Sequence, residues 1–427
     1  MDKWLLKKAA IQSVALMIAV ITSSYALQQY QTVEISASNI VEAEKPEENG
    51  TTPVIEIKDQ GDDLSKEASV FSGGPVRMAS TLEELEQQVD KSIRDQLGEN
   101  YLVIKKPQAD NLSISLEDLY ISKSIKVELT GSFTDVEDSS MVMRVRGRDY
   151  FLNDPIFTEV VTQETDEEDE SVKEIVTRDY GRDLSHGITF STARDEKTGL
   201  SNCEILIDLD RVYAYLILED ANYYFINLKK PSEVYDKILV IDPGHGGKDA
   251  GALSRDEKYY EKNINLGIVL ALKELLDTQN IKVYYTRTAD DKVFLRPRVT
   301  LANTVDCDYF ISIHCNSNAI ASPNGTEVLF YDTKFKDVAS KDLAELFSDE
   351  LGKTVDLKKR GTVLKHMDDI FIMDKAEVPM ILIEIGYLSN PGDLEFLTRT
   401  ENQKSVAQGI YNGIMRAFEE LPVSREH

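Results

Sequence analysis

The spacing of apolar residues changes along the chain and divides it into regions of different structure. Between residues 101 and 232, β-branched and aromatic residues recur with a period of two in runs such as SIKVELTGSF and CEILIDLDRVYAYLILED. Turn residues separate these runs, and a period of two is typical of strands with one buried face. We therefore predict a small, mostly antiparallel β-rich domain over residues 101–232.

From residue 237 onward, the pattern alternates between strands and helices. The runs KILVID, IKVYYTR, YFISIH, TEVLFYD and MILIEIG are nearly apolar throughout, and segments with helical spacing separate most of them. Strands without polar alternation are typical of a sheet that helices cover on both faces. We predict an α/β domain over residues 237–423, with a mixed, mostly parallel sheet flanked by helices on both faces.

The first thirty residues have the pattern of an export signal. Three lysines within the first eight residues precede an apolar stretch from Ala9 to about Leu27. The SYA sequence at 24–26 resembles a cleavage site, whereas the apolar length approaches the ~20 residues that cross a bilayer. We predict that residues 1–30 are either a cleaved signal sequence or a membrane anchor. In both cases the remainder acts outside the cytoplasm, either secreted or attached to the outer face of the cytoplasmic membrane.

The region between this segment and the β-rich domain has no strand pattern. Residues 31–79 contain EAEKPEENGTTPVIEIKDQGDD, in which acidic, proline and glycine residues dominate, and we predict a disordered acidic linker. Residues 80–98 begin with a Ser-Thr cap and continue with apolar residues at helical spacing. This second segment predicts one short amphipathic helix.

The charge of the chain limits its partners. The formal net charge is -27, which argues against nucleic acid as a partner because a phosphate backbone requires a basic face. The three cysteines have no CxxC spacing and form no disulfide framework, so they do not indicate the compartment.

Metal-binding side chains follow three of the apolar strands. KILVIDPGH ends in His245, YFISIH ends in His314, and MILIEIG contains Glu384 near its end. In open α/β sheets, sites form at the carboxyl ends of the strands. Glu261, at the start of the helix after the His245 loop, lies within reach of the same edge. Two histidines and a glutamate are a ligand set of catalytic zinc, and a second carboxylate can accept a proton from water.

Each of these residues also has a simpler interpretation. A histidine at a strand end can be an ordinary polar loop residue, and Glu261 can act only on the dipole of its helix. Glu384 is harder to explain in this way because a carboxylate inside ILIEIG is buried, and a buried charge without a partner is costly.

Several motifs in the same region resemble one family of enzymes. VIDPGHGGKDAGA, EKNINL, LRPRVTLANTVDCDYFISIHCNSN, GTEVLFY and PMILIEIGYLSN are similar to motifs of the zinc-dependent N-acetylmuramoyl-L-alanine amidases and occur in the same order. The resemblance implies that His245, Glu261 and His314 bind Zn²⁺ and that Glu384 is the catalytic glutamate. It also implies that the substrate is peptidoglycan, which loses its stem peptides through cleavage of the bond between N-acetylmuramic acid and L-alanine.

The β-rich region resembles a second type of module more weakly. Its segment CEILIDLDRVYAYLILEDANYYFINLKKP is similar to AMIN modules, which precede such amidases and help to localise them at the envelope. That resemblance implies an envelope partner for residues 101–232; the alternative is a β-domain of another family.

Two other functions remain open at this stage. One is an exported zinc peptidase that acts on peptide bonds. The other is a catalytically silent wall-binding or regulatory module, although all four positions of the implied site are filled.

Overall fold

The computed structural model describes ten stretches of the chain: 32–33, 89–98, 100–106, 110–132, 141–145, 148–151, 158–165, 172–183, 186–195 and 201–423. The predicted export segment and all of the predicted linker except Thr32–Val33 lie outside the described residues. The chain divides into two compact units, of which one spans Thr32–Asp236 and the other begins at Lys237. Within the described stretches, no helix combines the length and the apolar character needed to cross a membrane.

The described part of the first unit consists of strands and two short helices. Its strands are β1 (Thr32–Val33), β2 (Tyr101–Lys105), β3 (Asp110–Leu119), β4 (Ser124–Ser132), β5 (Met141–Val145), β6 (Arg148–Phe151), β7 (Thr158–Thr165), β8 (Val172–Asp183), β9 (His186–Asp195), β10 (Ser201–Asp208), β11 (Ala214–Glu219) and β12 (Tyr223–Lys229). Its described helices are α1 (Lys91–Arg94) and α2 (Pro231–Val234).

Two antiparallel sheets form this unit. One has the strand order β1-β3-β4-β10-β9-β8-β7, and the other has the order β11-β12-β2-β5-β6. A shared core contains residues of both sheets, among them Leu116 and Ile205 from one and Ile104 and Ile226 from the other. The prediction of an antiparallel β-rich region is confirmed.

Two segments before β2 differ from the structure predicted for them. Of the helix predicted over residues 80–98, the described residues 89–98 contain only α1, whose Ile93 packs with Phe225 and Tyr101. Thr32–Val33, within the predicted linker, pairs with β3. The edge of β3 offers unpaired backbone groups, which an extended segment can pair with whatever its composition.

The second unit alternates strands and helices. Its strands are β13 (Ile238–Pro243), β14 (Lys282–Tyr285), β15 (Tyr309–Asn316), β16 (Thr326–Phe330), β17 (Lys334–Phe335), β18 (Val338–Ala339), β19 (Lys359–Leu364) and β20 (Met380–Tyr387). Its helices are α3 (Glu261–Leu276), α4 (Leu295–Val305), α5 (Ser340–Thr354), α6 (Phe371–Asp374), α7 (Pro391–Leu397) and α8 (Thr400–Glu420).

A six-stranded mixed sheet is the centre of this unit, with the order β14-β13-β15-β20-β16-β19. The first four strands are parallel to one another, whereas β16 is antiparallel to β20 and parallel to β19. Residues of β13, β15 and β20 on one face pack with α3, α5 and α8 in the main core. Alternate residues such as Val240 and Phe310 are also fully buried, and α4 contacts β13. The predicted α/β architecture is therefore confirmed.

Strand β19 is absent from the sequence prediction. Its residues, KRGTVL, are exposed or half-buried, so the strand has neither an apolar run nor a clear alternation. It is the edge strand of the sheet and, among the described strands, pairs with β16 alone, which explains why charged residues are tolerated there.

Candidate metal centre

The strands that carry the predicted site residues are direct neighbours. β13 pairs in parallel with β15, and β15 pairs in parallel with β20, where His314 lies directly opposite Glu384. His245 follows the last residue of β13 by two positions. Parallel strands end at the same edge of a sheet, so all three side chains reach one edge.

The loop after β13 places His245 in an unusual backbone conformation. His245 has a φ of 62°, in the left-handed region that residues with a Cβ adopt at a cost of roughly 1–2 kcal/mol. Its ring centroid lies 5.0 Å from that of His314, with the two rings almost perpendicular. The strained loop conformation therefore accompanies the close approach of the two imidazoles.

Glu261, the first residue of α3, lies between the two histidines. Its Oε2 is 3.1 Å from His245 Nε2, and its Oε1 is 2.9 Å from His314 Nδ1. The same carboxylate accepts hydrogen bonds from the backbone N–H groups of Cys315 and Ala252. Burial alone would raise the pKa of Glu261, but the hydrogen bonds and charges of His245 and His314 hold it far below its usual range.

Two glycines leave the space that these side chains occupy. A Cβ at Gly244 would lie 2.1 Å from the ring of His314. A Cβ at Gly251, which has a φ of 68°, would lie 2.6 Å from Glu261 Oε2 and 2.7 Å from His245 Cδ2. The glycines of the loop therefore have a physical role, because any other residue would displace one of the three side chains.

The cluster suits a divalent metal ion. One donor atom from each of His245, Glu261 and His314 lies within 4.8 Å of the others, and two imidazoles with a carboxylate are the donor set of catalytic zinc. Backbone N–H groups orient the Glu261 carboxylate through hydrogen bonds. Metal ligands are usually oriented in this way by hydrogen-bond partners around them. The residues therefore fit the predicted Zn²⁺ ion.

Glu384 is close to this cluster in the sheet but is not one of its three donors. Its Oε2 is buried, and no donor among the described residues lies within hydrogen-bond distance of that atom. Burial raises the pKa of Glu384 to about 7; Glu261 and Glu327 add to this effect, and the histidines oppose it. A buried carboxylate whose pKa is close to neutrality is suited to exchange a proton at physiological pH.

Two residues whose side-chain types can bind metals, His366 and Cys315, are not among the three donors of the cluster. His366 is exposed in the loop after β19, and Cys315 is buried in the main core. Burial raises the pKa of the Cys315 thiol well above its usual range, so the thiol is an inert core residue.

Comparison with known proteins gives the family. The family model described as N-acetylmuramoyl-L-alanine amidase matches residues 239–416. The germination-specific N-acetylmuramoyl-L-alanine amidase of Bacillus subtilis (strain 168) is 32% identical over 198 residues, which are 43% of this chain and 81% of that protein. This chain belongs to the N-acetylmuramoyl-L-alanine amidase family. It is accordingly a hydrolase of the cell-wall amidase type.

Other relatives are similar to this chain over a comparable share of its length. The amidase LytC of Bacillus subtilis (strain 168) is 31% identical over 191 residues, 45% of this chain and 37% of that protein. The solved catalytic domain of the amidase CwlV from Bacillus (Paenibacillus) polymyxa var. colistinus is 33% identical, with 44% of this chain and 99% of that domain covered and a TM-score of 0.40. The family match does not include residues 101–232, so their AMIN-like identity stays a prediction.

Two further residues that contact the candidate ligands were missed by the sequence argument. Asp249 Oδ2 lies 3.1 Å from His245 Nδ1, and the pKa of His245 is raised because Glu261 and Asp249 together more than offset burial. Asn265, one helical turn after Glu261, donates to Glu261 Oε1 at 3.3 Å. Both lie four residues from a candidate ligand, and that spacing was the signal that could have revealed them.

Proposed function

We propose that this chain hydrolyses the amide bond between the lactyl group of N-acetylmuramic acid and L-alanine in peptidoglycan, releasing stem peptides. The observation that carries the proposal is the convergence of His245, Glu261 and His314 at one end of the sheet, with Glu384, whose Oε2 is buried, on the neighbouring strand. Membership of the amidase family supports the choice of bond.

In this proposal, His245, Glu261 and His314 hold Zn²⁺. When bound, the ion acts as a Lewis acid toward the amide carbonyl and makes water a stronger acid. Glu261 supplies the negative charge of the site, and its lowered pKa keeps it ionised over the whole physiological range. The backbone N–H groups of Cys315 and Ala252 hold its carboxylate in place.

Glu384 acts as the general base. Its carboxylate accepts a proton from the attacking water, and the same group returns a proton to the amino group of L-alanine as the C–N bond breaks. The buried and unpaired Oε2 supports this role, because other side chains do not hold that atom in a competing hydrogen bond within the described residues. The pKa of about 7 supports it also, since both protonation states are then accessible.

The location of the substrate defines where the protein acts. Peptidoglycan lies outside the cytoplasmic membrane, so the amidase works there as a secreted or anchored protein. The N-terminal pattern of lysines followed by an apolar stretch supports export. An AMIN-like role of residues 101–232 in envelope localisation, through a partner there, also belongs to this proposal.

Product analysis tests the reaction. Purified peptidoglycan treated with the zinc-loaded protein should release free stem peptides and leave glycan strands with unsubstituted lactyl groups, as measured by mass spectrometry. Glu384→Gln should bind Zn²⁺ normally and lose about 100- to 10,000-fold of the rate.

The alternatives predict different products. A peptidase would release peptide fragments and leave L-alanine attached to the glycan. A silent wall-binding module would sediment with peptidoglycan and release nothing. Full activity of Glu384→Gln at normal zinc content would contradict the proposed role of Glu384.

A further inference from the structure

A buried arginine holds the loop that carries His245. Arg298, on α4, is 2% exposed. Its Nη2 donates to the carbonyl oxygen of His245 at 2.7 Å, and its Nη1 donates to that of Pro243 at 2.9 Å. Nε and Nη2 both donate to the carbonyl oxygen of Val293, at 3.0 and 2.9 Å. One guanidinium group thus joins the segment before α4 to the backbone of the first candidate ligand.

The charge of Arg298 is balanced by an equally buried aspartate. Arg298 Nη1 lies 2.5 Å from Asp242 Oδ1, and Asp242 is 1% exposed. Asp242 also accepts hydrogen bonds from two hydroxyl groups. Thr286 Oγ1 donates to Oδ1 at 2.5 Å, and Ser312 Oγ donates to Oδ2 at 2.7 Å. Ser312 lies on β15, two residues before His314. The ion pair is therefore connected to both strands that present an imidazole.

The backbone conformation at His245 depends on contacts of this kind. A φ of 62° is unfavourable for a histidine and persists only where the surroundings enforce it. The carbonyl of His245 is fixed by Arg298, and the preceding carbonyl, of Gly244, accepts from Arg287 Nη2 at 2.8 Å. Fixing the carbonyls on both sides of the Cα fixes the direction in which the imidazole leaves the backbone.

We propose that Arg298 is a positioning residue of the metal centre, which directs His245 Nε2 toward Glu261 through the carbonyl of His245. The inference rests on the proposed function only in requiring that these side chains bind a divalent metal. Lysine would keep the charge beside Asp242, but its single ammonium group cannot reproduce the planar set of donors that reaches Asp242, Val293 and His245 together.

Zinc binding by two arginine variants provides the test. Arg298→Lys is compared with Arg416→Lys, a control in which an α8 arginine of the same unit donates to Glu350 and Glu420. The measurements on the full chain are the Zn²⁺ dissociation constant, from competition with a chelator, and the rise in melting temperature that Zn²⁺ produces. Arg298→Lys should weaken Zn²⁺ binding about 10- to 100-fold and reduce that rise, as loss of ligand orientation does. Arg416→Lys should change neither.

Each outcome has a distinct meaning. A purely structural role of Arg298 would lower the melting temperature equally with and without Zn²⁺, leaving the affinity unchanged, and would overturn the inference. If Arg298→Lys does not fold, Thr286→Val, which removes a donor to Asp242, should still weaken Zn²⁺ binding; unchanged affinity in that variant also overturns it. A wild-type protein that binds no Zn²⁺ would instead refute the proposed metal site.

Discussion

His314 and Glu384 lie directly opposite each other on the neighbouring parallel strands β15 and β20. One residue is a candidate metal ligand and the other is the candidate base, so the strand register fixes their relative positions. A shift of either strand by one residue would turn its side chain to the other face of the sheet. The relative position of His314 and Glu384 is therefore determined by the pairing of two buried strands.

The ionisation of Glu384 should affect the stability of the metal-free protein. Its pKa in the folded state is about 7, above its ordinary value of 4.5, so the folded state retains this proton more strongly than the unfolded state. The stability due to this group is present below pH 4.5 and is lost as the pH rises through 7. We expect Glu384→Gln to stabilise the metal-free protein by roughly 1–3 kcal/mol at pH 8.5 relative to the wild type, and by little at pH 4.5.

Urea denaturation of the metal-free proteins at the two pH values measures this difference. Glu395→Gln is a suitable control because the Glu395 side chain is 69% exposed. A difference between Glu384→Gln and the wild type that stays constant from pH 4.5 to 8.5 would show that Glu384 ionises normally.

Gly251 should be required for metal binding, beyond its effect on stability. Alanine at Gly251 would be strained by the positive φ and would also place a Cβ against Glu261 and His245. Gly361 has a φ of 86°, but apart from its chain neighbours no described residue has an atom within 4 Å of its Cβ position, so alanine there introduces only the strain. Both variants should lose about 1 kcal/mol or more of stability, and only Gly251→Ala should weaken Zn²⁺ binding, by about 10-fold or more.

Isothermal titration calorimetry with Zn²⁺ separates the two effects in this pair of variants. Equal Zn²⁺ affinity of Gly251→Ala and Gly361→Ala would show that the metal centre tolerates a methyl group at Gly251.

Asp242 should contribute strongly to stability at neutral pH and less in acid. Burial would raise the pKa of Asp242, but Arg298 and the hydroxyl groups around it hold the pKa below the ordinary 3.8. The contribution is then complete above about pH 4 and is lost as the pH falls through the folded-state pKa. Asp242→Asn leaves Arg298 buried without its counter-charge, and we expect a loss of about 3–5 kcal/mol at pH 7.

The comparison needs denaturation curves at pH 7 and pH 3. Asp349→Asn is the control, because Asp349 pairs with Lys359 at the surface, where ion pairs contribute less than about 1 kcal/mol. A similar small loss for both variants at pH 7 would contradict the role of the buried pair.

Gly413 should be needed for the contact between α5 and α8. A Cβ at Gly413 would lie 2.8 Å from Phe347 Cδ1, and Phe347 is fully buried. Alanine favours helix by about 1 kcal/mol, but overpacking a rigid core costs about 1–3 kcal/mol, so Gly413→Ala should be net destabilising. At Gly267 the close atom is Oε1 of Gln403, the end of a flexible side chain.

Thermal unfolding of the two glycine variants checks this prediction. Gly267→Ala should be neutral or stabilising, since Gln403 can move away, whereas Gly413→Ala should lower the melting temperature. A stabilised Gly413→Ala would mean that α5 and α8 separate without cost.

Much of the fold followed from local patterns. Sequence patterns identified three strands, β13, β15 and β20, because strands buried on both faces are apolar throughout. They also identified α3 and α8, because helices buried on one face have apolar residues at helical spacing. Strand β19 has no such apolar pattern, since its side chains are exposed to solvent at the edge of the sheet. The sequence also does not show that β16 and β19 run antiparallel to the other four strands, because an apolar run has the same composition in either direction.

The candidate site also has a part that the sequence determined and a part that it did not. Sequence alone determined that His245, His314 and Glu384 reach one edge, because parallel strands carry whatever follows them to the same end of the sheet. Only the tertiary structure decided that Glu261 lies between the two imidazoles and that Arg298 is buried beneath the His245 loop. An arginine in a helix is normally expected in solvent. Its burial here depends on Asp242, 56 residues away, and a contact across that separation leaves no periodic signal in the chain.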